Sequence, residues 1–153
     1  MIVVLDTNVL LRYADPNDPA HPIVIIAFGV LRATGFALHL VPQNLYEFWV
    51  VATRPLDRNG LGLTVPECEQ MLTRIEAAFP ILLDKPSLLA EWRSLVTTHV
   101  CKGKIAHDAR IVAAMRTHGL THLLTFNVGD FARFAGLAVL DPKSIGASPI
   151  TTS

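Results

Sequence analysis

Short apolar runs alternate along the chain with longer stretches in which apolar residues recur at helical spacing. The first run, Ile2 to Leu5, is rich in β-branched residues and ends at the polar sequence Asp6-Thr7-Asn8, which predicts a strand and then a sharp turn. The turn-rich segment 15–19 follows. A helix is then predicted from about His21 to Thr34, because Gly35 stands where a C-terminal cap would lie.

The same alternation continues to residue 140. Pro42 ends a predicted second strand, Phe36 to Val41, and a helix from about Asn44 to Thr53 follows. Thr64-x-x-Glu67 is a capping-box pattern that predicts a helix through about Phe79. The remaining predicted elements are a strand at 81–83, a helix opened by Pro86, a helix at 105–118, a strand at 122–125, a short helix at 129–134 and a strand at 137–140.

This order of elements predicts the fold class. Strands that alternate with helices are usually joined by right-handed crossovers and pair in parallel. We therefore predict an α/β fold, specifically a three-layer α/β/α sandwich with a mostly parallel central sheet. The length of 153 residues suits one core. We assign the domain to residues 1–141 and a loosely ordered polar tail to residues 142–153.

The composition is more apolar than that of an ordinary soluble domain. Charged residues make up 17% and hydrophobic residues 51% of the chain, against about a quarter charged in typical domains. We therefore expect some apolar surface to meet a partner. The longest apolar stretch, Ile23 to Leu31, is much shorter than the span of about 20 residues that a bilayer needs.

The N-terminus shows no signal peptide, because no basic segment precedes an apolar one and Asp6 falls where the apolar region would run. We expect a cytoplasmic protein. Cys68 and Cys101 lie far apart without CxxC spacing, so they are predicted to be buried thiols rather than zinc ligands or a disulfide.

The formal net charge is zero, which alone gives no sign of nucleic-acid binding. The distribution is more informative, because Asp108 is the single acid between Trp92 and Gly129, among five basic residues and four histidines. A basic rim around an acidic centre and an ordinary solvated helix face explain this pattern about equally well. The candidate phosphate-binding residues are Arg54, Lys102, Lys104, His107 and Arg110.

Four carboxylates stand where apolar segments begin or end: Asp6, Glu47, Asp108 and Asp130. The functional crevice of an open parallel sheet lies beyond the carboxyl ends of its strands, and we expect the four to converge there. Three of them also have structural explanations. Asp6 is a favoured helix cap, Asp108 suits the first turn of a helix, and Asp130 lies in a turn. Glu47 is harder to explain so, because its helix is otherwise almost wholly apolar.

Converging carboxylates would repel one another unless a hard cation neutralised them. Oxygen ligands favour Mg²⁺ or Mn²⁺, and such an ion can make a bound water acidic and offset the charge of a phosphodiester. Asn8, Thr125 and Asn127 are polar neighbours able to orient a carboxylate as supporting residues. The set therefore predicts metal-assisted phosphodiester hydrolysis, with all four carboxylates as catalytic metal ligands.

The motifs together resemble the PIN-domain nucleases, and more narrowly the VapC-type toxins of bacterial toxin-antitoxin pairs. The resemblance covers about residues 1–141 and rests on four motifs in order. These are Asp6-Thr7-Asn8, Glu47 followed by Thr53-Arg54-Pro55, His107-Asp108-Ala109, and Thr125-Phe126-Asn127-x-x-Asp130-Phe131.

The resemblance implies a Mg²⁺- or Mn²⁺-dependent endoribonuclease with a PIN-like fold. It also implies a homodimer held inactive by a small antitoxin protein that covers the acidic site. The family's acidic ligands map onto Asp6, Glu47, Asp108 and Asp130, and its polar supporting positions map onto Asn8, Thr125 and Asn127. RNA is then the expected substrate.

The sequence also bears on four other functions. An aspartyl phosphatase would have a second Asp where Asn8 stands, and no P-loop is present for nucleotide binding. A metal-dependent DNA nuclease of the flap-cleaving type shares the acidic chemistry, but 153 residues leave little room for DNA-clamping elements. A binding module whose acidic pocket receives a basic peptide stays open, and it predicts binding that survives chelation.

Overall fold

The computed structural model describes residues 1–147. Its centre is a four-stranded parallel sheet with the strand order β2-β1-β3-β4. The strands are β1 (Ile2–Leu5), β2 (Ala37–His39), β3 (His122–Leu124) and β4 (Ala138–Leu140). Eight α-helices surround this sheet in the described part of the chain: α1 (Thr7–Ala14), α2 (His21–Ala33), α3 (Pro42–Ala52), α4 (Val65–Ala78), α5 (Leu88–Thr98), α6 (Ile105–Thr117), α7 (Val128–Phe131) and α8 (Pro142–Ala147).

The alternation of side chains along β1 divides the interior into two cores. Val3 and Leu5 pack into a cluster with residues of α1 to α4, whereas Val4 packs into a second cluster with residues of α5 to α7. Helices therefore cover both faces of the sheet, and the buried strands are apolar on both sides as parallel sheets require. The predicted three-layer α/β/α sandwich is confirmed.

Several predicted helix ends are also confirmed. Thr64 caps α4, where its hydroxyl accepts from the Glu67 backbone N–H at 3.2 Å while the Glu67 carboxylate accepts from the Thr64 N–H. Gly119 follows α6 with φ of +69°, a conformation that glycine adopts without steric cost. Helix α3 begins at Pro42, two residues earlier than predicted, because proline suits the first helical position.

Three local predictions were wrong. Asp6 to Asn8 was predicted as a turn, but Thr7 already begins the two-turn helix α1. The strand at 81–83 is reduced to one parallel bridge between Ile81 and Leu40. Residues 142–147 form α8, which packs against α2 and brings Gly146 against Ile26, so this part of the predicted tail is ordered; residues 148–153 of that tail lie outside the described residues.

The two cysteines are free thiols, as predicted. Cys68 is buried, which was also predicted, whereas Cys101 is only half-buried. No helix within residues 1–147 is long and apolar enough to cross a membrane.

Candidate active site

Asp6 is the member of the acidic set whose carboxylate accepts the most hydrogen bonds. It follows β1 directly, caps α1, and is only 6% exposed. Its Oδ1 accepts a hydrogen bond from the Thr7 backbone N–H at 2.7 Å. Its Oδ2 accepts from the Thr125 hydroxyl at 2.7 Å and from the Asn8 side-chain amide at 3.3 Å. Both oxygens are thus fixed in direction at the carboxyl edge of the sheet.

Two predicted supporting residues, Asn8 and Thr125, contact the Asp6 carboxylate through their side chains, whereas Asn127 contacts Thr125 through its backbone. Asn8 also donates to the Thr125 hydroxyl oxygen at 3.2 Å and accepts from the Phe126 backbone N–H at 3.3 Å. Thr125 is fully buried at the end of β3. Asn127 contributes through its backbone, since its N–H donates to the Thr125 hydroxyl oxygen at 3.0 Å. The strand ends of β1 and β3 are thereby joined through side chains.

Asp108 lies in the first turn of α6, where the helix dipole favours a negative charge. The pKa of Asp108 is nevertheless raised from 3.8 to about 6. Burial is the largest cause, and the charges of Asp6, Asp130 and Glu47 contribute to the increase. Lys104, at the start of the same helix, acts in the opposite direction. The other three acids therefore lie close enough to Asp108 to disfavour its charged form.

Asp6 is perturbed in the same direction. Burial raises its pKa, although the hydrogen bonds from Thr125 and from the Thr7 backbone oppose this effect. The charges of Glu47 and Asp130 add to the increase. The charges of Glu47 and Asp130 thus affect both Asp6 and Asp108, and the charge of Asp6 also affects Asp108, so the four carboxylates influence one another electrostatically.

The two remaining acids lie on two other helices. Asp130 is exposed in the first turn of α7, and its backbone N–H donates to the Asn127 carbonyl at 3.1 Å. Glu47 is half-buried in the middle of α3, where its Oε1 accepts a hydrogen bond from the Gln43 side chain. Four separate elements of the fold therefore each supply one carboxylate.

Two buried amides near the site were not singled out in the sequence. Gln43 is 4% exposed and contacts Glu47, the His107 backbone and Arg110. Asn44 is fully buried, and its amide donates to the Leu5 carbonyl at 3.0 Å and to the Thr7 hydroxyl at 3.2 Å. The spacing of Gln43 and Glu47, four residues apart on one helix face, was the available signal.

The predicted basic residues differ in their exposure and in their contacts with other side chains. Lys102, Lys104, His107 and Arg54 are exposed. Arg110 is engaged, since its guanidinium donates to Gln43 at 3.1 Å and forms an ion pair with Asp84 at 2.9 Å. A role for Arg110 in RNA binding stays a prediction. Within the protein, its guanidinium links Gln43 to Asp84.

Two surface cavities share lining residues, and one of them borders Glu47. One, of about 520 Å³, lies along α3 and is lined by Glu47, Tyr46 and Arg54 among others. The second, of about 530 Å³, lies against α5 and is lined by Leu89, Trp92 and Lys85 among others. His107 and Arg110 line both. Glu47 therefore borders a groove with apolar walls and several cationic side chains.

The donor set suits a hard divalent cation in its chemistry, because every acidic member offers carboxylate oxygens and no thiol or imidazole is needed. Within residues 1–147, however, no three His, Cys, Asp or Glu side chains are arranged as a ready-made metal-ligand cluster. Carboxylates that raise one another's pKa are expected to stay apart until a cation draws them together.

Comparisons with known proteins extend these observations. No family model matches the chain. A curated protein, Ribonuclease VapC24 of Mycobacterium tuberculosis, is 30% identical over 144 residues, which is 90% of this chain and 94% of that protein. Two solved structures share the fold. VapBC2 from Rickettsia felis, bound to a DNA fragment from its promoter, has a TM-score of 0.68 at 16% identity and covers 92% of this chain and 98% of that chain. A toxin-antitoxin complex from Klebsiella pneumoniae has a TM-score of 0.61 at 21% identity and covers 92% and 97%.

Proposed function

Since the chain belongs to the VapC-type PIN-domain ribonuclease family, we propose that it is an endoribonuclease that depends on Mg²⁺ or Mn²⁺ and hydrolyses RNA phosphodiester bonds. The observation that carries the proposal is the crowding of four carboxylates, three of which add their charges to the burial that mainly raises the pKa of Asp108 to about 6. Such crowding costs stability in a metal-free protein, and it is useful where a cation is bound.

Asp6, Glu47, Asp108 and Asp130 are the residues that would hold the cation. When bound, Mg²⁺ or Mn²⁺ offsets negative charge on the scissile phosphate and increases the acidity of a coordinated water. Asp6 contributes a fixed direction, because Thr7, Asn8 and Thr125 hold its two oxygens. The carboxyl group of Asp108 loses its proton more readily once a positive charge replaces the surrounding negative ones.

The surrounding cations have a separate task. A cluster of carboxylates repels a polyanion, so a substrate must be attracted by other groups at the rim. Lys104 lies close enough to Asp108 to lower its pKa, and the exposed side chains of Arg54 and His107 line the cavity beside Glu47. We assign to these three residues the attraction of RNA phosphates toward the acidic centre.

We also propose that the chain is the toxin of a toxin-antitoxin pair, that it forms a homodimer, and that a small antitoxin covers the acidic site. Exposed apolar side chains support an interface: Tyr46 is 62% and Val50 52% exposed on α3, and Leu89 is 65% exposed on α5. Light scattering of the purified chain tests the dimer. Co-expression with the product of a neighbouring small open reading frame, followed by an RNA cleavage assay, tests the antitoxin.

The activity is tested with purified, partner-free protein and structured RNA in Mg²⁺ or Mn²⁺, with parallel reactions in EDTA and on DNA of the same sequence. Asp6→Asn and Asp108→Asn are the active-site variants, and Asp57→Asn, an exposed carboxylate in the short 3-10 helix Leu56–Arg58, is the matched control. Circular dichroism establishes that each variant is folded.

We expect RNA cleavage by the wild type and by Asp57→Asn, and none in EDTA or by the two active-site variants. Equal cleavage by all the variants would identify a contaminating nuclease and refute the assignment. Basic-peptide binding that persists in EDTA, without any cleavage, would favour a binding module instead. Preferential cleavage of DNA would refute the proposed substrate class.

A further inference from the structure

The side chain of Gln43 lies between two of the carboxylates. It is located in the first turn of α3, four residues before Glu47, and is 4% exposed. Its Nε2 donates to Glu47 Oε1 and also to the backbone carbonyl of His107 at 2.8 Å. Its Oε1 accepts from Arg110 Nη1 at 3.1 Å. A single buried amide thus has three partners of different kinds.

These partners determine the orientation of the amide. A guanidinium is only a donor and a peptide carbonyl is only an acceptor, so the amide oxygen must face Arg110 and the nitrogen must face His107. The second hydrogen on Nε2 is then directed at Glu47 Oε1. One oxygen of Glu47 is therefore occupied by a donor from the protein, which leaves Oε2 available to another ligand.

The same amide connects the two helices that carry Glu47 and Asp108. Among the described residues, the hydrogen bonds between α3 and α6 both involve Gln43. The carbonyl that it contacts belongs to His107, the residue directly before Asp108. This contact therefore links the helix that carries Glu47 to the residue beside Asp108.

Arg110 connects the Gln43 amide to a further carboxylate, that of Asp84. Its Nη2 donates to Asp84 Oδ2 at 2.9 Å while its Nη1 donates to Gln43. The sequence of groups is then carboxylate, guanidinium, amide and carboxylate, each a donor-acceptor match. Because hydrogen bonds in such a chain polarise one another, the Arg110 charge strengthens the donor that Gln43 directs at Glu47.

We propose that Gln43 is a positioning residue, which holds one oxygen of Glu47 and fixes its distance from Asp108 so that Oε2 is the oxygen offered to the divalent cation. This inference rests on the proposed function and adds to it a residue outside the acidic set. Groups that orient a metal ligand in this way typically change metal affinity or activity by about 10- to 100-fold when they are removed.

The test uses Gln43→Met, which keeps the length of the side chain and removes its hydrogen bonds. Gln70→Met, at an exposed position of α4, is the matched control for the same substitution away from the site. Gln43→Glu is a second variant, because it retains an acceptor for Arg110 and loses both donors. Four quantities are measured: the Mn²⁺-induced shift in Tm, the Mn²⁺ concentration at half-maximal cleavage, kcat for RNA and KM for RNA.

We expect Gln43→Met to need about tenfold more Mn²⁺ for half-maximal cleavage and to show a smaller Mn²⁺-induced shift in Tm, with KM for RNA within about twofold of wild type. Gln43→Glu should show the same defects, and Gln70→Met should behave as wild type. A purely structural amide would lower Tm in EDTA but leave the Mn²⁺ dependence unchanged.

Such an unchanged Mn²⁺ dependence in folded Gln43→Met or Gln43→Glu would overturn this inference alone. If Gln43→Met does not fold, Gln43→Glu gives the decision by the same measurements. A wild-type protein that shows neither cleavage of RNA nor a Mn²⁺-induced shift in Tm would overturn the proposed function, and this inference with it.

Discussion

Asp108→Asn should make the metal-free protein more stable at neutral pH, although it removes a proposed catalytic group. The folded pKa of Asp108 is raised from 3.8 to about 6, so the folded state binds a proton more tightly than the unfolded chain does. The free energy of unfolding therefore falls as the pH rises from about 4 to about 6. Above that range the folded protein contains the charged carboxylate at its full cost.

The size of this cost follows from the shift. A change from 3.8 to about 6 corresponds to about 3 kcal/mol at full strength. Asp108 is only half-buried, and solvent screens its interactions with Asp6, Asp130 and Glu47. We therefore expect Asp108→Asn to raise the free energy of unfolding by about 1 to 2 kcal/mol at pH 7.5 in EDTA, and by little at pH 4.

The assay is urea denaturation in EDTA at several pH values between 4 and 7.5, followed by the fluorescence of the two tryptophans. The exposed variant Asp57→Asn should show no comparable gain. Addition of Mn²⁺ should stabilise the wild type more than Asp108→Asn, because only the wild type retains the full set of ligands. An Asp108→Asn protein that is less stable than wild type by the same amount at every pH would refute the reasoning.

Three further predictions concern other residues. Thr125→Val should lower the free energy of unfolding by about 1 to 3 kcal/mol, because it removes the 2.7 Å bond to Asp6 and leaves the Asn127 N–H without its acceptor, whereas Thr125→Ser should stay near wild type in urea denaturation. Asn44→Ala should cost about 2 to 3 kcal/mol in the same assay, since it leaves the Leu5 carbonyl without its side-chain donor, and an unchanged midpoint would contradict this. Arg54→Ala should weaken RNA binding and reduce the salt dependence of log K by about one charge, measured by fluorescence anisotropy from low to high salt; an unchanged slope would remove it from the phosphate contacts.

Helix and strand order was predictable because each element carries a local signal. The capping box at Thr64, Pro42 and the glycine after α6 all act within a few residues of the element that they begin or end. The interpretation of Asp6 as a helix cap is confirmed, but helix α1 was left out of the predicted order of elements because the short polar sequence after β1 is typical of a turn. The strand at 81–83 was wrong because pairing beyond Ile81 depends on tertiary register, which the sequence does not indicate.

The edge of the sheet at which Asp6 lies was predictable for a different reason. A parallel sheet places the carboxyl ends of its strands at one edge, so Asp6 after β1 and the segment after β3 were expected at the same edge, whereas the direct pairing of β1 with β3 could not be predicted from the sequence. The pairing of Arg110 with Asp84 was not predictable, since it joins α6 to an irregular segment 26 residues earlier. The structure, and not the sequence, identifies Asp84 as the partner of Arg110.

The buried polar residues provide the signal that a sequence pattern lacks. Among the described residues, those that are polar or charged and buried are Asp6, Thr7, Gln43, Asn44 and Thr125. All five lie at the carboxyl edge of the sheet, and each is hydrogen-bonded to a proposed ligand or to another member of the set. Burial of a polar group is costly unless its partners are in place, so such groups are rarely gathered without a purpose. The fold thus places its buried polar side chains around the carboxylates, where they limit the directions in which the acids can point. These hydrogen bonds hold both oxygens of Asp6 and one oxygen of Glu47 in place while the charges of the two carboxylates repel each other.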